Sequence, residues 1–313
     1  MKNIKKALKY IFSIIGFLLL VSILLGQTDI GNFDQDENGE NSFISIGNEK
    51  IRFIQKGSGK DILFIHGTPG SIEDWTIMID KLAKDFRVTA FDRLGHGFSS
   101  SNEYTYHLKD NAELAEQLIK ELKLESPMII GHSYGGSVAA YMAVHSEMKN
   151  REYLIIDSPF YEVEPNITNR LVSAPILGKG IAFISAFTIG KYEMKKGVLS
   201  MFKSPENEKN IDFYIEERQN IWSQPKVIYS NAKEIVNLPE DLKAISGKYK
   251  NIDVEMTFIT AENAKSTFRK DAENLHSEVE NSKLILISNT GHYIQLEQSG
   301  KVLKIINDKM EDE

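Results

Sequence analysis

The side chain with the clearest chemistry in this chain is Ser133, within Gly131-His132-Ser133-Tyr134-Gly135. The apolar run Met128-Ile129-Ile130 precedes it and a stretch of helical character, residues 137–144, follows. A serine flanked by glycines between a strand and a helix has the setting of a nucleophile elbow. Without Cβ atoms at the flanking positions the turn can close tightly and lift the hydroxyl out of the backbone. At a helix N-terminus such a serine can attack an acyl carbon, because the dipole and unpaired N–H groups favour the negative charge that develops. Alone, the pentapeptide fits equally a glycine-rich turn that only links two elements.

Two distant segments supply what such a serine needs. Asp61–Ile65 reads as a short buried strand running into His66-Gly67-Thr68-Pro69-Gly70. An oxyanion formed at the serine would be held by the N–H of the following residue, Tyr134, and by one from this earlier loop. Thr68 is the candidate for the second donor, since Pro69 has no N–H. Downstream, residues 283–287 read as a strand leading to Gly291-His292-Tyr293. A histidine there could take the hydroxyl proton and return it to a leaving group. His66 and His132 lie inside the other motifs and read as scaffold, while His96, His107, His145 and His276 have no neighbouring motif.

In this order and spacing, the three motifs together with Asp92-Arg93-Leu94-Gly95-His96-Gly97-Phe98-Ser99 resemble the α/β-hydrolase fold, in its cap-bearing serine hydrolase branch. The resemblance covers nearly everything after residue 42. It implies an α/β chain whose mainly parallel sheet is flanked by helices and carries a helical cap, working without a cofactor. The Asp92 segment reads as structural. Dehalogenases and epoxide hydrolases of this fold carry aspartate at the elbow. Ser133 therefore implies cleavage of an ester, thioester, amide or carbon–carbon bond.

One position departs from the pattern. The family usually places its acid in a Gly-x-x-Asp turn after the penultimate strand. Here Ala261-Glu262-Asn263-Ala264 puts alanine in that slot. Asp157 stands at the end of the earlier strand Tyr153–Ile156, where some members of the family place the acid. The resemblance thus implies a triad of Ser133, His292 and Asp157, with Glu262 as the alternative acid, and Trp75 bordering the pocket. The expected activity is that of a carboxylesterase or lipase-like enzyme on a small-molecule acyl substrate. A carbon–carbon hydrolase, a proline-type aminopeptidase and a cofactor-free haloperoxidase-like enzyme would share these residues. Ala264 favours a further alternative, a non-catalytic binding protein on a hydrolase scaffold.

The elements that must position these groups follow from periodicity. Residues 42–46 and 50–55 alternate like a hairpin around Gly47-Asn48. Helix is expected over 73–82 and strand over Arg87–Phe91. Leu108, Ala112, Ala115, Ile119 and Leu122 mark the buried face of another helix. After Asp157 the alternation stops, and Phe183, Phe187, Tyr192, Phe202, Tyr214 and Trp222 punctuate a helical stretch. The expected division is a core over 42–159 and 231–313 with a cap over 160–230.

The chain has 313 residues, no cysteine and a net charge of −7. Lack of cysteine excludes disulfides and thiolate metal sites, and no metal-ligand spacing is present. The acidity and the lack of a basic stripe give no support to nucleic-acid binding. Lys2, Lys5, Lys6 and Lys9 precede an apolar run over residues 10–25, the pattern of a signal peptide or an uncleaved signal anchor. No clear small-x-small cleavage site follows. The expectation is a membrane-anchored, exported catalytic domain, or a secreted one after cleavage, with residues 27–41 as a flexible tether. The oligomeric state stays open.

Overall fold

The computed structural model describes residues 2–33, 42–146, 148, 150–203, 211–262 and 268–311. Among these, strands β1 (Ser42–Ile46), β2 (Glu49–Lys56), β3 (Asp61–Ile65), β4 (Arg87–Phe91), β5 (Met128–His132), β6 (Tyr153–Ile156), β7 (Met256–Ala261) and β8 (Ser282–Ile287) form one sheet. Their spatial order is β1-β2-β4-β3-β5-β6-β7-β8. β2 pairs antiparallel with β1 and β4, and every other pairing is parallel. Strands β3, β5, β6 and β7 are buried along their whole length. That is the signature of parallel strands covered on both faces, and it explains why they read as apolar runs without alternation.

Helices α2 (Thr76–Leu82), α3 (Leu108–Glu121), α4 (Tyr134–Val144), α10 (Arg269–Glu278), the short α11 (Ile294–Glu297) and α12 (Ser299–Glu311) supply the covers. Successive strand side chains point to opposite faces, so the core divides in two. Leu63, Ile129 and Ile155 meet Ala115 of α3 and Val138 of α4 on one side. Ile62, Ile130 and Leu154 meet Met78 of α2 and Ile306 of α12 on the other.

Register decides what reaches the working edge. Ile65 pairs with Gly131, His132 with Ile156, and Ile156 with Ile259. The residues that follow β3, β5 and β6 therefore emerge together at the carboxyl edge. The chain leaves β3 for β4 on one side and reaches β5 on the other, so a crevice opens between β3 and β5, where ligands bind in open α/β sheets.

Between β6 and β7 lie α5 (Ile167–Val172), α6 (Leu177–Phe187), α7 (Gly190–Met201), α8 (Ile211–Trp222) and α9 (Pro225–Ser246). The expected boundary at 230/231 falls inside α9. α9 is one helix that starts with the insertion, and its Leu238 and Leu242 end in the main core. Before the sheet, α1 (Lys2–Leu25) rests its last turn on α6. The first part of the expected tether is pinned, because Lys226 N–H donates to Asn32 Oδ1 (2.8 Å) and Phe33 N–H donates to Gln224 Oε1 (2.5 Å). Residues 34–41 of that tether lie outside the described residues.

Candidate active site

Ser133 follows β5 directly and has φ +54° and ψ −126°. A non-glycine residue is held there at a cost on the order of 1–3 kcal/mol, and its surroundings must impose it. They do so from two sides. Ser133 N–H donates to the Ile156 carbonyl (3.0 Å), and its own carbonyl accepts from Gly136 N–H (2.9 Å). A Cβ on Gly135 would lie 2.2 Å from the Ile65 carbonyl oxygen, so only glycine lets α4 start against β3. Tyr134 is the first residue of α4, and its N–H belongs to the turn that has no intrahelical acceptor.

His292 and Asp157 meet on the same edge. His292 Nδ1 is 2.7 Å from Asp157 Oδ2, and the aspartate side chain is fully buried. Thr260 Oγ1 donates to Asp157 Oδ1 (2.7 Å). This contact extends the β6–β7 register by one step, since Ile156 faces Ile259. With a carboxylate at Nδ1, the imidazole carries its proton there and leaves Nε2 to accept. His132 steadies the same segment, donating from Nε2 to the His292 carbonyl (3.0 Å). Burial, followed by the neighbouring His292, pushes His132 down to about 3, so it stays neutral.

Glu262 is placed elsewhere. It is exposed at the end of β7, its N–H donates to the Ile287 carbonyl (2.9 Å), and its carbonyl accepts from Arg269 Nη1 (2.6 Å). Ala264 lies outside the described residues.

On the opposite side of Ser133, the loop after β3 is held by a buried ionic cluster. Arg93 Nε donates to the His66 carbonyl (3.0 Å) and Nη2 to the Gly67 carbonyl (2.9 Å). His66 Nε2 accepts from Arg93 N–H (2.9 Å), which fixes the Nδ1–H tautomer that reaches the Gly67 carbonyl (2.8 Å). Burial and the Arg93 charge hold His66 well below its ordinary range, hence neutral. Arg93 in turn forks onto Glu234 of α9, with Nη1 at 2.5 Å and Nη2 at 3.1 Å. Glu234 also accepts from Thr68 Oγ1 (2.6 Å), His96 Nε2 (3.0 Å) and the Tyr104 hydroxyl. Burial alone would raise the Glu234 carboxyl, but Arg93 and these hydrogen bonds hold it below the usual carboxylate range. Asp92, read as structural, accepts from Ile72 N–H and Phe98 N–H (both 2.9 Å).

These groups face a cavity of about 450 Å³ whose wall includes Thr68, Ser133, Tyr134 and His292. That is the size of a small-molecule site. Met194, Val198 and Met201 of α7, Leu238 of α9 and Phe268 make most of the rest apolar, and Glu193 is the acidic residue in the wall. The insertion is tied to the histidine itself: His292 N–H donates to the Met201 carbonyl (2.8 Å). Glu297 fastens both partners, accepting from Gly291 N–H (2.6 Å) and Lys203 N–H (3.0 Å).

Trp75 is a correction. It is not on the cavity wall but 1% exposed in the core, stacked on Phe64 with ring centroids 4.5 Å apart. Sequence reasoning missed Glu234, Thr260 and Glu297. Glu234 and Thr260 act on segments far away in the chain, and Glu297 joins the nearby Gly291 to the distant Lys203. Among the described residues, no group of three or more His, Asp or Glu side chains could hold a metal ion.

Comparison with known proteins gives a consistent picture. A family model described as alpha/beta hydrolase fold matches residues 61–160. A 117-residue stretch is 32% identical to the dihydrolipoyllysine-residue acetyltransferase component of an acetoin cleaving system from Cupriavidus necator, covering 37% of this chain. This chain spans 31% of that relative's length, and 42% of an uncharacterized protein from Mycobacterium bovis that it also matches. A proline iminopeptidase from Saccharolobus solfataricus is 26% identical over 280 residues, 81% of this chain and 85% of that one. Among solved structures, an enol-lactonase from Burkholderia xenovorans LB400 superposes with a TM-score of 0.70 at 15% identity, over 85% of this chain and 98% of the other. An esterase from Exiguobacterium antarcticum does so with 0.70 at 19%, over 86% and 99%.

Proposed function

Because this chain belongs to the α/β-hydrolase fold superfamily, we propose that it is a serine hydrolase that cleaves an ester or related acyl bond in a small molecule. The observation that carries this reading is the 2.7 Å contact between His292 Nδ1 and Asp157 Oδ2, beside the cavity that Ser133 and His292 both line.

Substrate enters with its acyl chain against Met194, Val198 and Leu238. His292 Nε2 takes the hydroxyl proton of Ser133 as Oγ bonds to the carbonyl carbon, and Asp157 stabilises the imidazolium that forms. The carbonyl oxygen becomes an oxyanion held by the N–H groups of Thr68 and Tyr134. Collapse breaks the bond to the leaving alcohol, which receives the proton from His292. Water, deprotonated by His292, then attacks the acyl carbon and frees Ser133 and the carboxylic acid. No cofactor takes part in these steps.

The helical insertion between β6 and β7 serves as the cap. It brings apolar side chains over the cavity and excludes water from the reacting carbonyl. α1 is the anchor. Its span Ile4–Leu25 has mean hydropathy 2.4 and is hardly buried. At 1.5 Å per residue it is about 33 Å long, enough for a bilayer core. The lysine end lies inside and the catalytic domain on the far side.

A second reading is release of an N-terminal residue from a peptide. The iminopeptidase relative and the carboxylate of Glu193 in the wall, a partner for a substrate ammonium, favour it.

A fluorophosphonate probe tests catalysis. Covalent labelling is expected, and it should vanish in Ser133→Ala. Folded wild-type protein that resists labelling would reduce the chain to a binding protein. A panel of p-nitrophenyl esters against aminoacyl-naphthylamides separates the two enzyme readings, and Glu193→Gln should impair only the second class.

A further inference from the structure

The insertion has a second, outward surface that the cavity does not use. Ile167 and Leu171 of α5, Ile176 in the turn after it, Leu177 and Phe187 of α6, and Ile189 before α7 are all exposed, with Ile167 and Ile176 more than two-thirds so or nearly so (69% and 67%). A soluble surface seldom gathers this many large apolar side chains within one short segment. The same segment is basic. Residues 167–203 contain Arg170, Lys179, Lys191, Lys195, Lys196 and Lys203 against one acid, Glu193, in a chain whose net charge is −7. Apolar side chains set among lysines are what an interfacial helix presents to an anionic bilayer.

The placement of α1 gives that surface its partner. The last turn of α1 is seated on α6. A Cβ on Gly180 would lie 2.9 Å from Ile23, so the two backbones approach as closely as glycine allows. Ser22 is buried at this contact, while residues 4–20 of α1 are exposed. The chain then runs along α6 in the same direction, since a Cβ on Gly31 would lie 2.7 Å from the Phe187 ring. The apolar helix therefore leaves the body from α6.

We propose that the outer face of α5, α6 and the start of α7 docks into the surface of an anionic phospholipid bilayer, and that the enzyme draws acyl substrates dissolved in that bilayer. This rests on the reading of α1 as an anchor. α7 joins the two surfaces. Met194, Val198 and Met201 face the cavity, while Tyr192 and Lys196 are exposed on the same helix. α7 thus carries residues of both the outer face and the wall of the cavity that Ser133 lines.

The absence of cysteine makes a direct test possible. Full-length chain with a single Ile176→Cys or Leu171→Cys replacement is spin-labelled and reconstituted into vesicles of equal parts phosphatidylcholine and phosphatidylglycerol. Collision with oxygen, which concentrates in lipid, is compared with collision with a water-soluble nickel chelate. Ile77→Cys on α2 is the water-exposed control, and Leu18→Cys reports on α1. Docking predicts a several-fold higher oxygen-to-nickel ratio at 171 and 176 than at 77, with 18 higher still. A water-like ratio at 171 and 176 with a lipid-like one at 18 overturns the docking and leaves the anchor. A water-like ratio at 18 overturns the anchor as well. Low collision with both reagents at 171 and 176 means a protein contact, and overturns the bilayer as occupant. In a second measurement, the double variant Ile176→Asp/Leu171→Asp should lose turnover of a long-chain ester held in vesicles while keeping that of a soluble short-chain ester. Equal loss on both overturns the supply of substrate from lipid.

Discussion

The ends of β6 and β7 are neighbours in the sheet, and each carries an acid close to the histidine loop. Asp157 is sealed from water, accepts from Thr260 and contacts His292 Nδ1. Glu262 is exposed, with its backbone committed to Ile287 and Arg269. The difference teaches that an imidazole is served by the carboxylate that geometry brings to its Nδ1, whichever strand delivers it. In proposing Asp157 as the triad acid we rely on this contrast. A similar contrast appears across the cavity, where Glu234 does for the Thr68 loop what Asp157 does for His292.

Asp157→Asn would break the comparison most severely. It keeps the shape of the side chain but reverses the demand on Nδ1, and kcat on an activated ester should fall about ten-thousand-fold. Steady-state kinetics on the folded variant decide the point. A loss under tenfold would return Glu262 to candidacy.

Glu234→Ala leaves the Arg93 guanidinium buried without its carboxylate, which costs about 3–5 kcal/mol of stability by urea unfolding. Glu234→Gln preserves volume, and should lower kcat through the Thr68 loop more than it raises KM. A change confined to KM would mean that the cluster does not position the loop.

Thr260→Val removes one neutral hydrogen bond to a charged acceptor, worth about 1.5–3 kcal/mol at most, and a roughly tenfold fall in kcat is expected. Unchanged turnover would show that Asp157 needs no help from β7.

Asp74 shows what burial does to an acid whose cation is not in full contact. It accepts from the Tyr214 hydroxyl (2.9 Å), and Arg218 Nε lies at 3.6 Å. Burial outweighs both and pushes it up to about 7. A carboxyl raised in the folded state binds its proton more tightly there than in the unfolded chain. This group's contribution to stability is therefore greatest at acid pH and falls as pH rises from about 4 towards 7. Measured by thermal unfolding between pH 5 and pH 8, the stability of Asp74→Asn relative to wild type should rise with pH. An identical slope in the variant would contradict the assignment. The smallest effect belongs to Glu262→Gln, for which kcat should stay within about twofold, because an exposed charge interacts weakly with its surroundings.

The turns that line the cavity were legible from the chain alone. Gly131–Gly135, His66–Gly70 and Gly291-His292 each join a strand to a turn within a few residues, and such local patterns survive without knowledge of the rest. The buried strands Asp61–Ile65 and Tyr153–Ile156 were equally plain, since largely apolar runs answer to burial on both faces. What the sequence left open was settled by pairing between distant segments. The β6–β7 register sets Asp157 against Thr260, and the course of α9 brings Glu234 to Arg93 and Thr68. Trp75 follows the Thr68 loop in sequence, yet the turn into α2 carries it down onto Phe64 and away from the cavity. Local order fixes which groups a turn can present. Only the assembled sheet and the helices laid across it fix which of them touch, because that depends on how separate segments of the chain pack together.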